Sequence, residues 1–150
     1  MELRFRLGVA FVATATLAGI ARADDVRAGS IVVSDAWTRP TAAGLTVGVA
    51  YFVVRNNGAA ADAIVSASSP AAAQVEMHLT TLADGMARMR PLREIAVPAR
   101  GKVAVAPGGI HLMLVDLAAP LAAGTYVPLV LQFRKAGRIE IRLAVQARAD

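Results

Sequence analysis

Gln74-Val75-Glu76-Met77-His78-Leu79-Thr80-Thr81-Leu82-Ala83-Asp84-Gly85-Met86-Ala87-Arg88-Met89-Arg90 alternates its side chains on either side of a two-residue turn signal. Successive side chains of a strand point to opposite faces. Val75, Met77 and Leu79 therefore share one face, and Glu76, His78 and Thr80 share the other. His78 points away from the apolar face. Asp84-Gly85 suits a two-residue hairpin, whose type I′ turn needs positive φ at both central positions. In a regular hairpin Ala83 pairs with Met86 and Thr80 stands opposite Met89. His78 is then the diagonal same-face neighbour of Met89, roughly 7–8 Å away at the backbone. A bulge would break this register.

The same alternation and β-branched runs recur along the chain, and no long stretch carries the 3.6-residue period of an amphipathic helix. Further strands are expected at Ile31–Trp37, Val47–Asn56, Ala63–Ala67, Lys102–Ala106, Ile110–Asp116, Tyr126–Phe133 and Arg138–Gln146. Those of the opening stretch are Gln74–Thr81 and Met86–Arg90. Asn56-Asn57-Gly58, Pro107-Gly108-Gly109 and Lys135-Ala136-Gly137 supply turn chemistry between them. Pro70 with Ala71–Ala73 reads as one short helical turn. Seven to nine short strands at this spacing predict an all-β fold, a Greek-key sandwich or small barrel. No repeat or linker divides the 150 residues, and a 56% hydrophobic composition with 18% charged residues suits one domain with a real core.

The start, Met1-Glu2-Leu3-Arg4-Phe5-Arg6, precedes an uncharged, largely apolar run from Leu7 to Ile20 and then Ala21-Arg22-Ala23. A basic head, an apolar segment and an A-x-A end describe a secretory signal peptide over residues 1–23, cleaved after Ala23. The apolar run is shorter than the roughly 20 residues a membrane span needs, so no stable membrane anchor is expected. Residues 24–150 would form the mature domain. Loss of Arg4, Arg6, Arg22 and Glu2 lowers the formal net charge from +5 to +3. That balance, without a run of consecutive Lys or Arg, gives no reason to expect a nucleic-acid partner. Arg88, Arg90 and Arg93 read first as a solvated strand face, with partner docking as the alternative.

No cysteine is present, which excludes disulfides, cysteine zinc sites, iron–sulfur ligation, thiol catalysis and the cysteine-ligated blue copper site. It also argues against a lipid anchor on a cysteine. The histidines and methionines then carry the chemistry. In Ile110-His111-Leu112-Met113-Leu114 alternation turns Ile110, Leu112 and Leu114 inward and leaves His111 and Met113 together on the opposite face. Four candidate metal ligands emerge: His78, Met89, His111 and Met113. Thioether sulfur has little affinity for Zn²⁺, Mg²⁺ or Ca²⁺, whereas Cu(I) favours soft sulfur and accepts imidazole. Imidazole must be neutral to bind, so affinity is expected to weaken below about pH 6.5. A lone His or Met is more often structural, and Met77 and Met86 read as packing residues.

The spacing H-x10-M-x21-H-x-M formed by His78, Met89, His111 and Met113 resembles the signature of the periplasmic copper chaperone family PCu(A)C. Asp35-Ala36-Trp37-Thr38-Arg39-Pro40-Thr41, Ser68-Ser69-Pro70-Ala71-Ala72, Met89-Arg90-Pro91 and Pro107-Gly108-Gly109-Ile110-His111-Leu112-Met113-Leu114 are similar to the family as well, so the resemblance spans about Ile31 to Val145. It implies a cupredoxin-like Greek-key β-sandwich that binds one Cu(I) at an exposed site and passes it on in the periplasm. The implied acceptor is a haem–copper oxidase, usually the copper A centre of cytochrome c oxidase subunit II, sometimes with a Sco-type thiol protein. The expected protein is a monomeric carrier, not an enzyme. Some members carry a His/Met-rich C-terminal tail; Ala144-Val145-Gln146-Ala147-Arg148-Ala149-Asp150 has neither residue type.

Three other readings stand beside this one: an exported protein for copper storage or tolerance, a copper redox enzyme, and a structural β-sandwich with incidental histidines. Two imidazoles are few for a site that must stabilise Cu(II). The serines lie in no G-x-S-x-G elbow, so hydrolysis has little support. Trp37 is expected as a buried core anchor, with a role in covering the copper as the alternative.

Overall fold

Alternation along the chain becomes eleven strands, with no helix among the described residues, which are 22–148 of a computed structural model. Residues 1–21 of the expected leader lie outside them. The strands are β1 (Val26–Ala28), β2 (Ile31–Thr38), β3 (Val47–Asn56), β4 (Asp62–Ser68), β5 (Ala72–Ala83), β6 (Met86–Pro91), β7 (Ile95–Val97), β8 (Lys102–Val105), β9 (Ile110–Leu117), β10 (Tyr126–Phe133) and β11 (Gly137–Val145). They hydrogen-bond in the order β6-β5-β9-β3-β2-β11-β10-β4-β7, with β1 beside β2 and β8 beside β3. Every pairing is antiparallel except that of β11 with β2.

This order forces the sheet to fold on itself. β6 and β7 are at opposite ends of the path, yet only residues 92–94 join them, and an extended residue spans at most about 3.6 Å. The two ends must therefore approach each other, as must β4 and β5, which residues 69–71 connect. Hydrogen bonds hold the strand ends from which the chain crosses: the Leu92 amide donates to Met77 O at 2.8 Å at the end of the β5–β6 pair, and the Ser69 hydroxyl donates to Pro128 O at 2.6 Å at the end of the β4–β10 pair. Between the layers lie Ala50, Phe52, Leu112 and Leu114 on one side and Leu129, Leu131, Phe133, Ile141 and Leu143 on the other, all buried. Each large side chain buried this way stabilises the fold by roughly 1.5–3 kcal/mol relative to exposure.

Several boundaries differ from the expectation. β1 and β7 are three residues long, too short for a period-two pattern to register. Ala72 and Ala73 belong to β5, not to a helical turn: Ala72 pairs with Leu117, and the Ala72 amide closes a single turn on Ser69 O at 3.3 Å. Cross-strand pairing here overrides the helix preference of alanine. Met86 is 61% exposed and packs no core, because the β5–β6 hairpin projects beyond the sandwich; Met77 is interior, as expected.

A bulge in β2 accounts for Trp37. Ser34 pairs with Val53 but Trp37 pairs with Tyr51, so one extra residue enters β2, and Asp35 takes φ 49°. Before the bulge Ile31 and Val33 face inward; after it Ala36 and Thr38 do. Trp37 is thereby turned to the outer face. It is buried there without joining the interior cluster, against Tyr51 at 4.8 Å between ring centroids and beneath the Arg148 guanidinium at 4.7 Å. Arg148 in turn makes a two-pronged bond to Asp35, at 2.9 and 3.1 Å.

Asp62 ties β4 to the β10–β11 turn. Its carboxylate accepts the amides of Ala63 (2.8 Å), Lys135 (2.9 Å) and Ala136 (2.9 Å). Burial pushes the carboxyl up, but these three bonds and the charge of Lys135 outweigh it and hold the group below the ordinary 3.8. A carboxyl depressed in the folded state contributes stability above its unfolded pKa and loses it as the pH falls through the folded value. Asp62→Asn is expected to cost about 1–3 kcal/mol at pH 7. Urea unfolding should show that gap between wild type and variant shrinking below about pH 3.8.

Candidate metal centre

β5 is the strand that assembles the site, because its two edges carry the neighbours that matter. On one edge His78 stands opposite His111 and Glu76 opposite Met113 of β9. On the other, Thr80 stands opposite Met89 and His78 opposite Pro91 of β6. Asp84 and Gly85 have φ 53° and 74°, the signs of a type I′ turn, so the hairpin register is the one the Asp84-Gly85 pair predicts. Directly opposed residues share a face. His78, Met89, His111 and Met113 therefore all lie on the outer face of three adjacent strands.

The two imidazoles meet edge to face with ring centroids 5.8 Å apart. A metal–nitrogen bond of about 2.0–2.1 Å places the ion roughly 3.2 Å from a ring centroid, so two rings can share one ion up to a separation of about 6.4 Å. His111 is only 7% exposed, the His78 side chain 15%, and Met113 is half-buried; Met89 is 54% exposed. The cluster is thus covered at the imidazoles and open at one thioether.

Hydrogen bonds set which nitrogen of each ring is free. His111 Nδ1 is 3.0 Å from Gly109 O, and a carbonyl can only accept, so Nδ1 carries the proton and Nε2 the lone pair. The same carbonyl accepts the Thr80 amide at 3.1 Å, which ties β5 to the turn before β9. That turn closes through the Gly109 amide to Ala106 O at 3.2 Å, and Gly108 sits at φ 79°, where a side chain would be strained. His78 Nε2 is 3.0 Å from Glu76 Oε2, so Nε2 is the donor. His78 Nδ1 is buried with no hydrogen-bond partner. A buried, unpaired acceptor is costly, and it is the kind of atom a metal would satisfy.

Among the described residues no three His, Cys, Asp or Glu side chains are gathered to hold a metal. A metal here would draw on the thioethers as well as the imidazoles, which matches the soft donor set. Sequence reasoning placed Glu76 on the correct face but gave it no part, although a carboxylate two residues from a histidine on one strand face is a legible signal. It could not place the carbonyl of Gly109. Beside Glu76 and His78 a cavity of about 610 Å³ opens between β4 and β5.

The family described as "Putative lipoprotein LpqE-like" matches residues 31–145. The chain belongs to the LpqE-like family. This LpqE-like chain is 34% identical over 108 residues to "Putative lipoprotein Lxx21020" of Leifsonia xyli subsp. xyli (strain CTCB07), a match that covers 71% of the chain and 64% of that relative's length. These relatives' names point to an exported protein. Among solved structures it is similar to the copper-bound PCuAC domain from PmoF2, with a TM-score of 0.72 and 27% identity over 83% of this chain and 99% of that one. It is also similar to the solution structure of CuI-DR1885 from Deinococcus radiodurans, with a TM-score of 0.62 and 26% identity over 77% of each chain. The fold is the expected cupredoxin-like β-sandwich.

The hairpin register depends on Gly85, whose φ of 74° an L side chain resists. Gly85→Ala is expected to destabilise the hairpin by about 1–2 kcal/mol. Amide hydrogen exchange should quicken over residues 81–88, while contacts between the His78 and His111 rings, held by β9, persist in nuclear Overhauser spectra.

Proposed function

We propose that this LpqE-like protein is a periplasmic copper carrier that holds one Cu(I) at His78, Met89, His111 and Met113, and hands it to a respiratory haem–copper oxidase. The observation that carries this reading is the buried, unpartnered Nδ1 of His78, whose ring meets a second imidazole edge to face on a sheet face shared with two thioethers. Two imidazoles with two thioethers favour Cu(I) over harder ions. Thioethers need no deprotonation, and unlike thiols they survive an oxidising compartment without forming disulfides. The copper-bound and Cu(I)-bound states of the structural relatives support the same ion.

Release follows from the uneven burial of the four ligands. The ligands themselves are neutral, so the ion keeps a positive charge that attracts an anionic thiolate. Met89 is the exposed ligand. An incoming thiolate meets the ion at that side and displaces the Met89 thioether first, while the imidazoles stay anchored through Gly109 and Glu76. The copper A centre of cytochrome c oxidase subunit II suits this exchange, as does a Sco-type thiol partner. The protein acts as a monomeric carrier and catalyses no reaction. Residues 1–23 serve as the export signal, removed after Ala23.

Competition with a Cu(I) chelator under reducing conditions tests the assignment. One ion should bind per chain. His78→Ala and Met113→Ala should each weaken binding by at least about tenfold, equivalent to about 1.4 kcal/mol. Met89→Ala should weaken it less and speed release to a thiol acceptor. Wild-type affinity in both of the first two variants would sink the ligand set.

A further inference from the structure

We infer that Glu76 is a positioning residue for the copper site: its carboxylate locks His78 in the Nε2–H tautomer, so that His78 offers Nδ1 to the metal while His111 offers Nε2. This rests on the proposed copper function but makes a separate statement about the metal-free protein. Three observations carry it. Glu76 Oε2 lies 3.0 Å from His78 Nε2, on the same strand face. His78 Nδ1 is buried and has no partner, so no competing acceptor pulls the proton to that nitrogen. The ring of His111 is fixed the opposite way round, because its Nδ1 is committed to the Gly109 carbonyl. The two rings therefore present different nitrogens to a shared ion.

Histidine ligands commonly give their second ring nitrogen to a carboxylate or a carbonyl, which fixes the tautomer and strengthens the ring as a donor, and loss of such a partner typically costs 10–100-fold in affinity. Here one ring has each kind of partner. The carboxylate adds what the carbonyl cannot, a full negative charge beside a site whose ligands are all neutral. Its side chain is 45% exposed, so replacing it removes little packing. The tautomer and the charge can be separated. Gln keeps an acceptor oxygen at the same reach but no charge; Ala removes both.

Long-range proton–nitrogen correlation spectra of the metal-free protein read the tautomer directly. Wild type and Glu76→Gln should show His78 protonated at Nε2, and Glu76→Ala should lose that preference. His111 should stay protonated at Nδ1 in all three. Chelator competition with Cu(I) should rank wild type tightest, Glu76→Gln weaker, and Glu76→Ala weakest, about 10–100-fold below wild type. An unchanged His78 tautomer in Glu76→Ala would overturn the proposal, and so would a changed tautomer with Cu(I) affinity within twofold of wild type. If wild type bound no Cu(I), the copper reading would fall, whereas the tautomer spectra would still decide whether Glu76 orients His78.

Discussion

The pairing of β5 with β9 is the constraint on which the site depends, and the core sets its register. Met77 stands opposite Leu112 and Val75 opposite Leu114, and both leucines are fully buried. A slip of one residue would turn these side chains to solvent, at roughly 1.5–3 kcal/mol for each large residue exposed. The alternate positions, which carry Glu76, His78, His111 and Met113, are carried along by this choice. The imidazoles therefore face each other because the leucines beneath them cannot face anywhere else. Four polar or soft side chains on an outer face would have little power to fix a register by themselves.

Two turns complete what the ladder begins. The Asp84-Gly85 turn brings Met89 back beside Thr80, and the Pro107-Gly108-Gly109 turn delivers a carbonyl that holds both the Thr80 backbone and the His111 ring. The site is thus built from three strands but oriented by two short connections. The outer face continues across β3, where Val49 stands opposite Met113. Tyr51, two residues further along β3, stacks on Trp37, which the β2 bulge has turned outward. The bulge thus extends the covered part of the face towards β2 and leaves the projecting β5–β6 hairpin as its open part.

What was legible in the sequence was local. Period-two alternation gave β3 and β10 to the residue, and the Asp84-Gly85 pair gave the partner of Met89, because a two-residue turn leaves no freedom in the ladder that follows. The His78–His111 pairing was not available that way. These residues are separated by three strands and four connections, and nothing local states which strand edges meet; the spacing resemblance suggested a common site without its geometry. The Asp35 bulge was invisible because it breaks alternation for a single residue, which reads in a sequence as an ordinary polar interruption. The alanine run at 71–73 misled because alanine signals backbone preference weakly and carries no face of its own.

The ligand set also looks different once its surroundings are included. Counted as four neutral donors, the proposed ligands would leave the charge of Cu(I) uncompensated. Glu76 places a carboxylate next to Nε2 of one imidazole, whose other nitrogen, Nδ1, is buried and unpartnered. In the proposed site charge compensation would then act through the ring, without an anionic ligand on the ion itself. A direct carboxylate ligand would add a hard donor and favour other metals, whereas a carboxylate one ring away strengthens the imidazole and leaves the donor set soft. In the proposed site binding strength and metal preference would in this way be set by different residues. A carrier needs that separation, because it must hold its ion tightly enough to move it, yet keep one weak, exposed donor through which the ion can leave.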